Sequence, residues 1–209
     1  MATGFFAINL ITLSTMKIDK LVNIQLGHPF RGRIEEAEGL DTLVIQYKDV
    51  SEDSGVRWSS VSPSEVKGRA EPKWLEPDDV LFTNKGAHFF SVYVEQIPEG
   101  KKVVASPHFF VIRCQNTEKL LPEYLNWYLN QGPAQNFYNQ SASGSIVKSV
   151  TKTRLLEMDI PLPPITEQHR IAELYQATRK HSQALQQQIS NNQKLMSQLA
   201  YDIKRRHAD

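Results

Sequence analysis

Between His169 and about Arg206 apolar side chains recur every three or four residues, in a polar stretch that contains neither Gly nor Pro. Ile171, Leu174, Thr178, His181 and Leu185 follow 3-4-3-4 spacing, and Leu185, Ile189, Asn192, Met196, Leu199 and Ile203 follow 4-3-4-3-4. That period is one face of a helix. Joining the two runs at Leu185 gives two consecutive fours, a stutter that locally unwinds a coiled coil. Thr178, His181 and Asn192 make the seam polar in places, which weakens it but can fix register, as a buried Asn does. Upstream, Pro161-Leu162-Pro163-Pro164 marks a hard boundary, because proline cannot continue a helix from within. Thr166 is the predicted N-cap, with Glu167 in the first turn, where the dipole favours a carboxylate. About 38 residues at ~1.5 Å each make a rod of roughly 55 Å, longer than a small domain needs to cover its core. The seam fits either a second helix, in a coiled coil, or the chain's own domain; the length favours the coiled coil.

The pattern ahead of this helix is that of strands and short helices. Lys17 to Ile24 reads as a short helix or turn, and Thr42 to Val50 as a β-branched strand. Val80-Leu81-Phe82-Thr83 predicts a second strand. Residues His88 to Ile97 and Val103 to Cys114 predict a hairpin turning at Pro98-Glu99-Gly100-Lys101-Lys102. Leu121-Pro122-Glu123 opens a helix with Pro at the favoured first position. A short helix is predicted over Ala134 to Asn139, and a last turn capped by Thr153. Met158 to Pro163 then runs extended. Trp58 and Trp74, in a turn-rich stretch, are expected to pack.

Composition sharpens the division. All nine Phe, three Trp and ten Gly of the 209 residues precede position 166. The expected fold class is α+β: a β-rich domain over 1–165, then a long helix over 166–209. A formal charge of +1 announces no global basic field, but clustering on one face, not net charge, decides DNA binding. The single cysteine, Cys114, excludes an internal disulfide framework and reads as a buried structural thiol. No stretch reaches the length of a membrane span. The apolar run over residues 4–13 lacks a basic start and a cleavage site, and reads as a packed strand or a loosely ordered leader. The expected location is cytoplasmic.

Catalytic signatures are missing: there is no phosphate-cradling Gly loop, G-x-S-x-G, H-E-x-x-H or C-x-x-C. Asp159-Ile160-Pro161-Leu162 is not a base-flipping methyltransferase loop, and no cofactor is implied. Asp78 with Glu99 and Lys101 loosely matches a metal-dependent nuclease, in which carboxylates hold the ion and Lys orients water; Glu99 and Lys101, however, fall on the predicted turn. Polar groups suited to DNA gather in Gly-bearing loops. These are Arg31 and Arg33 around Gly32, Thr83, Asn84 and Lys85 before Gly86, Lys101 and Lys102, and Ser143, Ser145 and Lys148 around Gly144. Lys and Arg neutralise phosphates there, while small residues let backbone amides approach. Arg31, Gln46 and Asn84 can pair bidentately with base edges, with Lys48 beside Gln46. The same residues also fit ordinary solvated loops.

Several segments, in order, resemble one family. Leu75-Glu76-Pro77-Asp78-Asp79-Val80-Leu81-Phe82-Thr83-Asn84-Lys85-Gly86 resembles the "G-D-[IV]-L-F-[TS]-x-[KR]-G" element of type I restriction-modification specificity subunits, with Glu76-Pro77-Asp78 in place of the usual Gly-Asp. Ala105 to Arg113, Leu121 to Leu125 and Ala142-Ser143-Gly144-Ser145 resemble segments downstream of that element in the same subunits. Ile160-Pro161-Leu162-Pro163-Pro164-Ile165-Thr166-Glu167-Gln168-His169-Arg170-Ile171 is similar to "[IV]-P-[LV]-P-P-x-x-E-Q-x-x-I", which opens the family's conserved helix. The resemblance implies a non-catalytic subunit that binds double-stranded DNA through a target recognition domain. It also implies methyltransferase (modification) subunits as partners, and a restriction subunit beyond them. Such subunits carry two recognition domains and two helices paired antiparallel. With one of each, the chain resembles a half-subunit forming a homodimer through Ile171, Leu174, Thr178, His181, Leu185, Ile189, Asn192, Met196, Leu199 and Ile203, on a bipartite target.

Overall fold

A computed structural model describes residues 14–66, 71–141 and 148–206, so the apolar run over 4–13 lies outside the described residues. The chain divides into two compact units, Met1–Ala172 and Glu173–Asp209. In order, it forms β1 (Ser14–Lys17), β2 (Val22–Leu26), β3 (Thr42–Ile45), β4 (Val50–Ser51), β5 (Gly55–Val56), β6 (Val80–Thr83), β7 (Lys85–Gly86), β8 (Ser91–Tyr93), β9 (Lys102–Ala105) and β10 (Phe109–Cys114). Helices α1 (Pro122–Leu129) and α2 (Gly132–Ser141), strand β11 (Lys148–Ser149), helix α3 (Lys152–Leu156), strand β12 (Asp159–Leu162) and helix α4 (Ile165–Arg206) follow. This is an α+β fold of small sheets with a long C-terminal helix.

The organising element is an antiparallel sheet in the order β2-β10-β6-β8. Its strands are apolar on both faces because both faces are covered. Val80, Phe82, Phe110 and Ile112 enter one core with Leu125, Leu129, Tyr138 and Leu155 from the helices. Their sequence neighbours Leu81, Phe109 and Val111 enter a second core with Leu43, Ile45, Val103 and Ala105. Alternate residues of a strand point to opposite faces, so two covered faces yield the continuous apolar runs seen in the sequence. Trp58 packs against the second core, while Trp74 is half-buried beneath the Lys102 ammonium, 5.6 Å from its ring centroid.

The predicted hairpin between 88–97 and 103–114 does not form. β8 pairs with β6 instead, β9 pairs in parallel with β3, and β10 lies between β2 and β6. The turn at Pro98 survives, with the Lys101 amide donating to the Pro98 carbonyl at 3.1 Å, but it connects strands of different sheets. Ser106-Pro107 breaks the 103–114 run in two, since Pro107 has no amide to give a ladder. Gly27 secures that break: a Cβ there would stand 2.1 Å from the Ser106 carbonyl oxygen. The Thr42–Val50 strand stops at Ile45 and turns through a 3-10 segment, Tyr47–Asp49. Lys17–Ile24 resolves into the ends of β1 and β2 around a 3-10 turn, Ile18–Lys20. Thr151, not Thr153, caps α3, its side chain accepting from the Arg154 amide.

Helix α4 starts one residue before the predicted cap. The Pro164 carbonyl, rather than the Thr166 hydroxyl, takes the first amides, those of Glu167 and Gln168 at 2.8 and 3.1 Å. Ile171, placed by periodicity in the dimer seam, is half-buried against the first core, and Ala172 is buried beside it in sequence. Both belong to the first unit. In the second unit Leu174, Leu185, Ile189, Met196, Leu199 and Ile203 are 46–69% exposed. Thr178, His181 and Asn192 of the same seam are exposed as well.

Candidate nucleic-acid interface

Two loops far apart in sequence meet at a short ribbon. β7 and β11 pair antiparallel, with Lys148 opposite Gly86 and Ser149 opposite Lys85. The Val150 amide prolongs the ladder onto the Asn84 carbonyl at 3.0 Å. In this register Lys85 and Lys148 leave the ribbon on opposite faces, and both are exposed. Gly86 has φ +143°, a conformation that favours glycine. A Cβ on it would point at the Tyr47 hydroxyl, 3.8 Å away, and the His88 carbonyl, 3.6 Å away.

Tyr47 ties the ribbon to a second cluster. It stands in the 3-10 segment between Gln46 and Lys48, 41% exposed, with its ring edge-on to the buried Phe90. The Gln46 amide donates to the Asp49 carboxylate at 2.8 Å, which closes the turn. Arg33, Ile34, Glu35, Glu36, Gln46 and Lys48 line one open groove. Arg31 lines the adjoining one with Phe30 and Arg33. The Lys48 ammonium lies 3.1 Å from the Glu36 carboxylate. Lys48, with the Ser62 hydroxyl assisting, holds the Glu36 carboxyl below its usual range.

Other predicted residues sit elsewhere. Thr83 is fully buried, and its hydroxyl exchanges hydrogen bonds with the Phe90 amide and carbonyl at 2.9 and 3.1 Å. Asn84 is also buried, with Nδ2 donating to the Pro107 carbonyl at 3.0 Å. Both position the ribbon and show no polar edge to solvent. Lys101 pairs with Asp41 at 2.8 Å. Lys102 opens β9 opposite Thr42, at the far end of β3 from Gln46. Four steps of extended chain, about 13 Å, separate Thr42 from Gln46. Lys101 and Lys102 therefore do not join the cluster. Ser143, Gly144 and Ser145 lie outside the described residues.

A family model described as the type I restriction modification DNA specificity domain matches residues 46–193, well over half of the chain. The chain belongs to that family. A crystal structure of the type I restriction-modification S subunit from M. genitalium aligns with a TM-score of 0.58 at 16% identity, over 89% of this chain and 44% of that one. The HsdS subunit from Thermoanaerobacter tengcongensis aligns at 0.56 and 19% identity, over 83% and 39%. A chain from a structure addressing complex assembly and conformational transition of the type I R-M system aligns at 0.56 and 20%, over 82% and 39%. At such identities the likeness is one of fold. The specificity domain described here spans about two-fifths of the length of the subunits it matches. No curated protein matches it.

The domain's other candidate chemistry does not assemble. Asp78 accepts a hydrogen bond from the Tyr93 hydroxyl, and Lys101 is held by Asp41. Glu99 is exposed on its turn. Among the described residues no group of three or more His, Cys, Asp or Glu side chains is placed to hold a metal. Cys114 is free and half-buried, and its thiol is pushed up to about 12, chiefly by burial and then by Glu123, Asp78 and Asp79. That is the reverse of an activated nucleophile. Among the described residues no helix is long and apolar enough to cross a membrane.

Sequence reasoning missed Tyr47, His88 and Glu52, which stand beside the ribbon. Their only signal was proximity to Lys48 and Gly86. It becomes legible only once Phe90 is known to be the ring that Tyr47 and His88 share.

Proposed function

We propose that this specificity domain binds double-stranded DNA through the face built by the Arg33 groove, the Gln46–Lys48 turn and the β7–β11 ribbon. In this reading it carries out no chemistry. Methyltransferase subunits dock on it and supply the methyl donor and base flipping, with a restriction subunit joining them. The α4 seam pairs antiparallel with the seam of a second copy, so that two domains read a bipartite target. The observation that supports the reading, beyond family membership, is the presence of Lys85 and Lys148 on opposite faces of one ribbon. A major groove admits a two-stranded ribbon, and a ribbon set in it turns one face to each wall. Lysines on opposite faces then meet phosphates of both strands. The large apolar side chains of the α4 seam, about half or more exposed, support a helical partner.

Reversing charge at Lys85 and Lys148 tests the face, with Lys101→Ala as the internal contrast. Lys85→Glu and Lys148→Glu should each weaken duplex binding by about tenfold, lower the salt dependence by roughly one phosphate, and leave sequence preference alone. Lys101→Ala should bind like the parent chain. Mobility shifts over a range of salt read all three. Unchanged binding by both reversals would move the interface elsewhere, or leave the chain an adaptor that does not read DNA.

A further inference from the structure

One pair of side chains, His88 and Glu52, stands beside the ribbon and belongs to neither core. His88 lies between β7 and β8, with Nε2 2.9 Å from Glu52 Oε2. Its ring stacks beside Phe90, centroids 6.1 Å apart and planes 23° from parallel. Phe90, only 5% exposed, takes Tyr47 edge-on from another direction at 5.9 Å. Tyr47 from the 3-10 turn and His88 from the β7–β8 connection therefore meet at one buried ring, and Glu52 from the β4–β5 hairpin holds His88 through its Nε2. The His88 side chain is still 58% exposed and that of Glu52 38%.

An exposed ion pair contributes little to stability, because long side chains lose entropy and solvent screens the charges. Stability is thus a weak account of a surface imidazole fixed from two sides. Fixing it does matter for recognition, because a preorganised side chain loses little further freedom when a ligand arrives. The surroundings indicate which ligand. Lys48 flanks the site through Tyr47, and Lys148 shares the ribbon face that looks toward it. These ammonium groups suit phosphates. Glu52 repels phosphates, so the spot it shares with His88 suits the uncharged edge of a base. With Nε2 committed to the carboxylate, Nδ1 is left for a hydrogen bond in the groove.

We infer that His88 is a specificity-determining residue that contacts a base edge of duplex DNA, and that Glu52 is its positioning residue. The inference rests on the proposed DNA reading and adds to it which side chain discriminates. Selection from a random duplex pool by the full chain at low salt defines the preferred motif. Each of its positions is then substituted in turn, and binding is measured for His88→Ala, His88→Gln, Glu52→Ala and Glu52→Gln, with circular-dichroism melts to confirm folding.

The parent chain should lose about 10- to 100-fold on a mismatch at the position His88 reads. His88→Ala should accept all four bases there almost equally, with other positions and the salt dependence unchanged. Glu52→Ala should lose discrimination at the same position, and the double variant should add nothing, as for residues acting as a unit. Glu52→Gln, which can still accept the Nε2 proton, should keep most of the discrimination. His88→Gln should alter preference at that position alone, and it decides the matter if the alanine variant does not fold. A folded His88 variant that keeps every preference of the parent overturns the inference and leaves DNA reading intact. So does a uniform loss across all sequences, the mark of a phosphate contact. A parent chain that enriches no motif overturns both.

Discussion

Gln168 shows how much one side chain of a sequence motif can hold. It is 1% exposed, and its Oε1 accepts from the Leu121 amide at 2.9 Å. Its Nε2 donates to the Lys119 and Pro163 carbonyls at 2.8 and 2.9 Å. One amide thus ties the first turn of α4 to the start of α1 and to the proline lead-in. Gln168→Ala would strand those three backbone groups in a buried setting. A loss of about 2–4 kcal/mol in chemical denaturation is expected, since each unsatisfied group costs roughly 1–3 kcal/mol and relaxation recovers part of it. The Pro-Pro-x-x-Glu-Gln pattern was legible in the sequence, but the task of its glutamine was not, because the three partners lie 5 to 49 residues away. Asp78 teaches a related lesson. It stands where the family pattern has Gly, and its φ of +73° explains that preference. Asp79, next to it, is buried and holds Arg113 through two hydrogen bonds at 2.7 and 2.8 Å. Of the two carboxylates that evoked a metal site, Asp78 accepts from the Tyr93 hydroxyl while Glu99 is exposed on its turn; the structural anchor is the neighbouring Asp79.

Among elements, α4 was the most legible, and its period gave nearly the full extent. Its 3-4 spacing continues through Ile171 without a break, although Ile171 packs against the first core. Leu195 and Tyr201, 58% and 65% exposed, lie off that spacing. The proposed pairing of α4 makes the seam the place to test. Leu185→Asp with Ile189→Asp should convert a dimer to a monomer by light scattering, with the melt of the β-rich unit unchanged, since both residues belong to the second unit. A dimer that survives both changes excludes the seam. Strand pairing was much less legible. Two apolar runs around a turn are compatible with a hairpin or with membership in different sheets, and only long-range partners decide between them.

For the molecule as a whole, a formal charge of +1 leaves little long-range attraction for DNA. Two polar groups of the proposed face are also engaged, Lys48 with Glu36 and His88 with Glu52. Affinity must then come from contacts at short range, made twice if two copies bind together. A two-fold protein reads a two-fold site. The fold class and the split into a β-rich part and a rod could be read from composition and period. The face proposed to read DNA could not, because Lys85 and Lys148 are joined only by the β7–β11 register and Tyr47 only by its approach to Phe90 and Gly86. Selection of duplexes from a random pool by the full chain is the most direct test. The account predicts a short motif repeated in inverted orientation across a fixed, unspecified spacer; a pool that emerges with no enriched sequence would contradict it.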